Sequence, residues 1–304
     1  MPDNTIACAM NYTISVNKQN FKMNHSFESH FIETNDIKMH YRDSKNGDSP
    51  ILFLHGLTAN AHAFDGLIEE GIAEKNRLII PDMRGRGESE RPAFGYSIAD
   101  HAEDILGLLD HVQLDKISIA GHSFGGLLGL YMAANYPDRI EKLCILDAAA
   151  QMNPRTPEML AFAVGRLDKK YESFAEYINE VKQAPYMDKW DDVMLSYYRA
   201  DVMKTEEGGV TPRSNLANII AISMGVAQIP WEEIIEKVAQ KSILMNGLDA
   251  YTLGEPLLPD YKAMETVEKM QNCTYLATDG NHQTMLYGNG AKQIVRGLKD
   301  FMME

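Results

Sequence analysis

Cysteine is scarce in this chain. Its 304 residues hold three, Cys8, Cys144 and Cys273, and none has a Cys or His neighbour at metal-ligand spacing. A disulfide framework and a cysteine-based metal site therefore both lack their residues, and a reducing setting is expected. Long apolar runs are missing too: no stretch reaches 18 residues, and Met1 to Met10 show neither a basic n-region nor an apolar h-region. Membrane spanning and secretion are thus not expected, and the chain reads as cytoplasmic. Positive charge is in deficit, with 29 Lys and Arg against 43 Asp and Glu, a net −14. Such a field repels phosphate backbones and anionic lipid, which argues against nucleic-acid and membrane partners and leaves a small-molecule substrate. Repeats and low-complexity tracts are absent. Apolar residues at 45% and charged residues at 24% are globular proportions.

What is present alternates. Apolar strand patterns fall near Phe27–Glu33, Ile37–Asp43, Ile51–His55, Arg77–Ile80, Lys116–Ala120, Leu143–Leu146, Ser242–Asn246 and Thr274–Ala277, with amphipathic stretches between the later ones. Eight strands in this rhythm predict an α/β fold, a mostly parallel sheet with helices on both faces. Ser97 with Asp100 three residues on forms a capping box, opening a helix whose Ile98, Ala102, Ile105 and Leu109 share one face. Residues 151–240 break the rhythm with helix patterns near Pro157–Arg166, Ser173–Gln183, Asp191–Lys204 and Leu216–Met224 and no convincing strand. They read as an all-helical insertion, a cap, emerging at the carboxyl edge of the sheet where open α/β folds place ligands. The organisation is then a polar, Asn-rich flexible extension over 1–24, a core of 25–150 and 241–304, and the cap. Phe162, Trp190 and Tyr197 are candidate substrate-binding residues within it.

The chemistry gathers around Gly121-His122-Ser123-Phe124-Gly125, a G-x-S-x-G pattern with the strand Ile117–Ala120 before it and a helix pattern after it. Strand, sharp turn and helix are the setting that holds a serine strained and its hydroxyl exposed. A hydroxyl needs a base to become a nucleophile. Of nine histidines only His282 follows Ser123, in the loop after the last strand, which makes it the candidate base. An oxyanion needs fixed donors. The Phe124 amide, at the start of the helix, and the Leu57 amide, after Gly56 in the third strand's loop, are the candidates. His55 reads as structural, and His122 is left open. Arg84 and Arg86 could be read as anion-binding residues. Arg155, Arg166, Arg199 and Arg213 in the cap are the better candidates for a substrate carboxylate.

His55-Gly56, the stretch Pro81-Asp82-Met83-Arg84-Gly85-Arg86-Gly87-Glu88-Ser89, Gly121-His122-Ser123-Phe124-Gly125-Gly126 and the late His282 together resemble the α/β-hydrolase superfamily, in its own order over about residues 27–304. The resemblance implies an eight-stranded sheet, a cap after the sixth strand and hydrolysis without cofactor or metal, often of carboxylic esters or amides. Epoxide hydrolases and haloalkane dehalogenases in that superfamily carry an aspartate as nucleophile, and Ser123 speaks against both. It also implies a triad acid, for which two residues compete. Asp249 lies near the superfamily's commonest acid position, although the usual spacing after Gly247 falls on Ala250. Asp147 ends the strand beside Ser123's, where a minority of relatives carry the acid. Asp147 is preferred, with Asp249 as the alternative. The expected activity is a serine hydrolase cleaving a small-molecule ester through an acyl-enzyme. An amide or carbon–carbon hydrolase comes second, and a hydrolase-fold receptor with little turnover is the rival of another class.

Overall fold

Period-two alternation in runs that are apolar at every position demands burial on both faces, and the sheet supplies it. A computed structural model of the protein describes residues 27–47 and 49–303, so the extension at 1–24 lies outside the described residues. Eight strands form one sheet: β1 (Glu28–Thr34), β2 (Ile37–Asp43), β3 (Ser49–Leu54), β4 (Asn76–Pro81), β5 (Ile117–His122), β6 (Ile140–Leu146), β9 (Lys241–Gly247) and β10 (Cys273–Thr278), with β7 and β8 in the insertion. Their spatial order is β1-β2-β4-β3-β5-β6-β9-β10. Only β2 runs against the rest, pairing antiparallel with β1 and β4, while all other pairings are parallel. Successive residues of the central strands feed opposite cores. Leu52, Leu54, Ile119, Leu143, Ile145 and Leu244 face one, and Ile51, Phe53, Ala120, Cys144, Leu146 and Met245 the other.

Helices cover both faces. On the first lie α2 (Ile98–His111), α3 (Phe124–Asn135), α9 (Trp231–Lys237) and α10 (Asp260–Lys269); α1 (Asp65–Glu69) and α11 (Gly288–Met303) cover the second. The capping box forms as read: the Ser97 hydroxyl accepts from the Asp100 amide, and the Asp100 carboxylate accepts from the Ser97 amide. Such a cap contributes about 1 kcal/mol. Arg84 and Arg86 brace the loop after β4. Arg84 pairs with buried Asp104 at 2.5 Å, and fully buried Arg86 donates to the Arg84 carbonyl at 2.6 Å.

The insertion leaves the sheet after β6. It carries α4 (Thr156–Met159), α5 (Ala161–Gly165), α6 (Phe174–Lys182), α7 (Met194–Asp201) and α8 (Leu216–Val226). It is not wholly helical, contrary to the sequence reading. Beyond α7 the chain extends into β7 (Val202–Lys204), which pairs antiparallel with β8 (Val210–Pro212), and the backbone turns through Gly208 at φ +95°. A helix through Lys204 is thereby ruled out. The pattern near Pro157–Arg166 is likewise two short helices rather than one. The insertion's last helix, α9, packs against α3 and α10 and so joins the helical layer of the core. Among the described residues no helix is long and apolar enough to cross a membrane.

Candidate active site

Ser123 stands between β5 and α3 at φ 54°, ψ −120°, a region that side chains rarely adopt. The turn closes because its flanking residues are glycines. A Cβ at Gly121 would sit 2.2 Å from the Gly125 carbonyl oxygen, and one at Gly125 would sit 2.0 Å from the Leu54 carbonyl oxygen. The Ser123 amide donates to the Leu146 carbonyl at 2.9 Å, fixing the bend to β6.

His282 arrives from the loop after β10 and places Nε2 2.9 Å from Ser123 Oγ. Its Nδ1 is 2.6 Å from Asp147 Oδ2. Asp147, just beyond β6, has no exposed surface and a φ of 52°. Its amide donates to the Met245 carbonyl at 2.8 Å, and its second carboxylate oxygen accepts the Gly247 amide at 2.8 Å. Both oxygens are therefore engaged. Asp249 does not reach the imidazole. It is exposed, and its carboxylate accepts from the Gly280 amide at 3.1 Å, bracing the backbone of the histidine's loop.

The other histidines near the serine have different surroundings. His55 is fully buried; its Nε2 accepts the Met83 amide at 3.0 Å, which leaves Nδ1–H to donate to the Gly56 carbonyl at 2.8 Å. Burial, with Arg86 nearby, pulls its pKa down to about 4. A ring so held is a neutral structural member. His122 donates through Nε2–H to the His282 carbonyl at 2.8 Å and ties the serine's turn to the histidine's loop. Burial, and then the charge of neighbouring His282, hold it well below the ordinary histidine range.

Above the serine lies a cavity of about 640 Å³, within the usual range for small-molecule sites. Leu57 and Phe124 line it beside Ser123, and a Cβ at Gly56 would be 3.5 Å from Ser123 Cβ, so the Gly56–Leu57 backbone lies against the serine. Phe124 is the first residue of α3, where amides lack intrahelical partners. Of the three candidate cap residues, Tyr197 lines the cavity. Trp190 does not: its indole stacks on Tyr198 with centroids 5.8 Å apart, under Lys182 Nζ at 4.4 Å. Phe162 does not either; its ring packs edge-on against Tyr186, with centroids 5.9 Å apart. Tyr186 and Tyr251 line the cavity as well. Tyr251 lies just past Asp249 at the carboxyl end of β9, and that placement was the available signal. Among the cap arginines, Arg155 is tied to Glu158 and Glu255, Arg199 lies over Phe174, and Arg213 approaches Glu88; Arg166 alone lines the cavity. Among the described residues no three His, Cys, Asp or Glu side chains converge as metal ligands do.

Residues 49–246 match the family model described as the alpha/beta hydrolase fold. The chain belongs to the α/β-hydrolase fold family. Within that family it is similar to a cis-3-alkyl-4-alkyloxetan-2-one decarboxylase of Shewanella oneidensis, 28% identical over 67% of this chain. It is also similar to a 2-(acetamidomethylene)succinate hydrolase of Mesorhizobium japonicum, 28% identical over 51% of this chain. The chain spans 63% of the length of the first relative and 53% of the second. The crystal structure of an E-2-(acetamidomethylene)succinate hydrolase superposes with a TM-score of 0.79 at 20% identity, covering 92% of this chain and 100% of that chain. An enol-lactonase from Burkholderia xenovorans superposes at 0.69 with 18% identity, over 90% and 100% of the two chains. At such identities these superpositions speak to fold alone.

Proposed function

We propose that this α/β hydrolase cleaves a small-molecule carboxylic ester through an acyl-enzyme, with Ser123 as nucleophile, His282 as base and Asp147 as the orienting acid. One observation carries the reading: the Ser123–His282–Asp147 chain of 2.9 and 2.6 Å contacts at the floor of the cavity. Ser123 Oγ attacks the acyl carbon and its proton passes to His282 Nε2. Asp147 holds the ring with Nδ1 protonated and stabilises the imidazolium. The oxyanion accepts from the Leu57 and Phe124 amides, each such donor being worth about a hundredfold or more in rate. As the bond to the leaving oxygen breaks, His282 returns the proton to that oxygen. A water, deprotonated by the same nitrogen, then attacks the acyl carbon, and the carboxylic acid leaves as Ser123 regains its hydrogen.

A second reading, the same sequence on an amide, is supported by the relative named 2-(acetamidomethylene)succinate hydrolase, whose substrate name includes an acetamido group. The test is fluorophosphonate labelling together with turnover of p-nitrophenyl esters and matching anilides by wild type and Ser123→Ala. We expect labelling of wild type alone and a rate loss on the order of a thousandfold or more in the variant. A variant that keeps most of its activity overturns the covalent route. Labelling without turnover of any member overturns hydrolysis in favour of a receptor.

A further inference from the structure

Among the described residues, Arg166 is the one permanently charged side chain lining the cavity, and no Asp or Glu lines it. It sits on the cap just beyond α5 and is 2% exposed. Its Nη1 donates to Asp201 Oδ2 at 2.5 Å and lies 3.4 Å from the Tyr177 hydroxyl, which itself donates to that carboxylate oxygen. Asp201 stands behind the arginine, buried and off the cavity wall. A guanidinium carries five N–H donors. The buried Nε–H has no hydrogen-bond partner.

Further donors surround it. Tyr186 and Tyr197 also line the cavity, within electrostatic reach of the guanidinium, and burial raises both phenols, so each keeps its proton. Two ring contacts lead back to the reacting end: Tyr186 stacks on Tyr251 with centroids 5.0 Å apart, and Tyr251 meets the His282 ring edge-on at 5.6 Å. Leu127, Met152, Val164 and Val226 supply apolar lining. A wall of donors around a buried cation with a spare N–H calls for an anionic oxygen acceptor.

We propose that Arg166, with the Tyr186 and Tyr197 hydroxyls, anchors a carboxylate on the substrate's acyl part, so that the substrates are monoesters of small dicarboxylic acids. The inference rests on Ser123 marking the reacting end. A charge-assisted hydrogen bond of this kind favours the anion about ten- to a hundredfold over a neutral isostere.

The test is calorimetric binding to Ser123→Ala, which needs no chemistry, of mono-p-nitrophenyl succinate, glutarate and adipate, each against its terminal carboxamide. At least one acid should bind tenfold or more tighter than its amide. Arg166→Gln combined with Asp201→Asn, which replaces the buried ion pair by a neutral one, should reduce that preference to within about threefold. Failure of every acid to exceed its amide by threefold overturns the anchor, and does so without either cap variant having to fold. A preference that survives in the double variant moves the anchor off Arg166. Preferred binding without hydrolysis by wild type overturns the proposed hydrolysis and leaves the anchor standing; hydrolysis of acid and amide at equal kcat/KM does the reverse.

Discussion

Replacing Asp147 by Asn changes one oxygen into an NH2 and leaves shape and volume almost untouched, so its effect is set by hydrogen-bond polarity. In the native arrangement Oδ1 accepts the Gly247 amide at 2.8 Å while Oδ2 faces His282 Nδ1 at 2.6 Å. An asparagine can satisfy only one of these partners with its oxygen. If the oxygen stays on the Gly247 amide, the NH2 points at Nδ1, which must then accept, and the ring proton moves to Nε2. That nitrogen can no longer take the Ser123 proton. If the amide flips, NH2 meets N–H at Gly247, a buried donor is left unpaired, and the variant loses about 1–3 kcal/mol of stability. The first arrangement wins, and the wrong tautomer should lower kcat by about 10⁴, or about 5 kcal/mol of barrier. Asp249→Asn keeps an oxygen for the Gly280 amide, so its kcat should fall by less than about fivefold. Steady-state hydrolysis of a p-nitrophenyl ester, with circular dichroism and thermal melts to show both variants folded, decides the matter. A larger loss in Asp249→Asn than in Asp147→Asn would refute the assignment and the tautomer reasoning together.

Stability should fall with acid in a defined window. The unfolded His55 ring takes a proton near its ordinary 6.5, whereas the folded one does so only near about 4. Its contribution is therefore full above 6.5 and is lost as pH falls towards 4, by roughly 3 kcal/mol, and His101 and His122, both held well below the ordinary histidine range by burial, act in the same direction. Urea midpoints at pH 7, 5.5 and 4.5 should decline steadily, and a flat series would show that these rings are not held neutral. The buried carboxylates Asp43, Asp65 and Asp82 are lowered by their ion-pair and hydrogen-bond partners and give up their stabilisation only below about pH 4. In the cap, Val164→Phe fills the apolar part of the cavity and should shift kcat/KM about tenfold towards short acyl chains. Trp190→Ala should leave that preference within about twofold; a shift as large as that of Val164→Phe would put the indole back in contact with substrate.

The core strands and the serine's turn were legible because their signals are local. Two-sided burial writes runs apolar at every position, a capping box occupies four residues, and a bend that brings backbones together admits only glycine at Gly121 and Gly125. The choice between Asp147 and Asp249 was not local. Both follow neighbouring parallel strands, and which one faces the imidazole depends on the left-handed turn at Asp147 and on the register that gives its amide to Met245. The β7–β8 ribbon escaped notice because three-residue strands carry too little periodicity, although Glu207-Gly208-Gly209 marked its turn. Trp190 drew attention as a large aromatic in the cap, and it covers Tyr198 instead of the cavity. Arg166 looked like any of four cap arginines until burial and the carboxylate of Asp201 singled it out.

The hydrogen bond from His122 to the His282 carbonyl joins residues 160 positions apart, and Asp147 likewise reaches Gly247 across 100. The Asp147–Gly247 bond closes a loop that contains the whole insertion, and the His122–His282 bond encloses that loop. Both bonds lie within the core, while Asn281, beside His282, donates to the Tyr186 carbonyl at 2.9 Å and ties the histidine's loop to the cap. A change that moves the Tyr186 backbone is therefore felt at the histidine's loop as well as in the chamber above it.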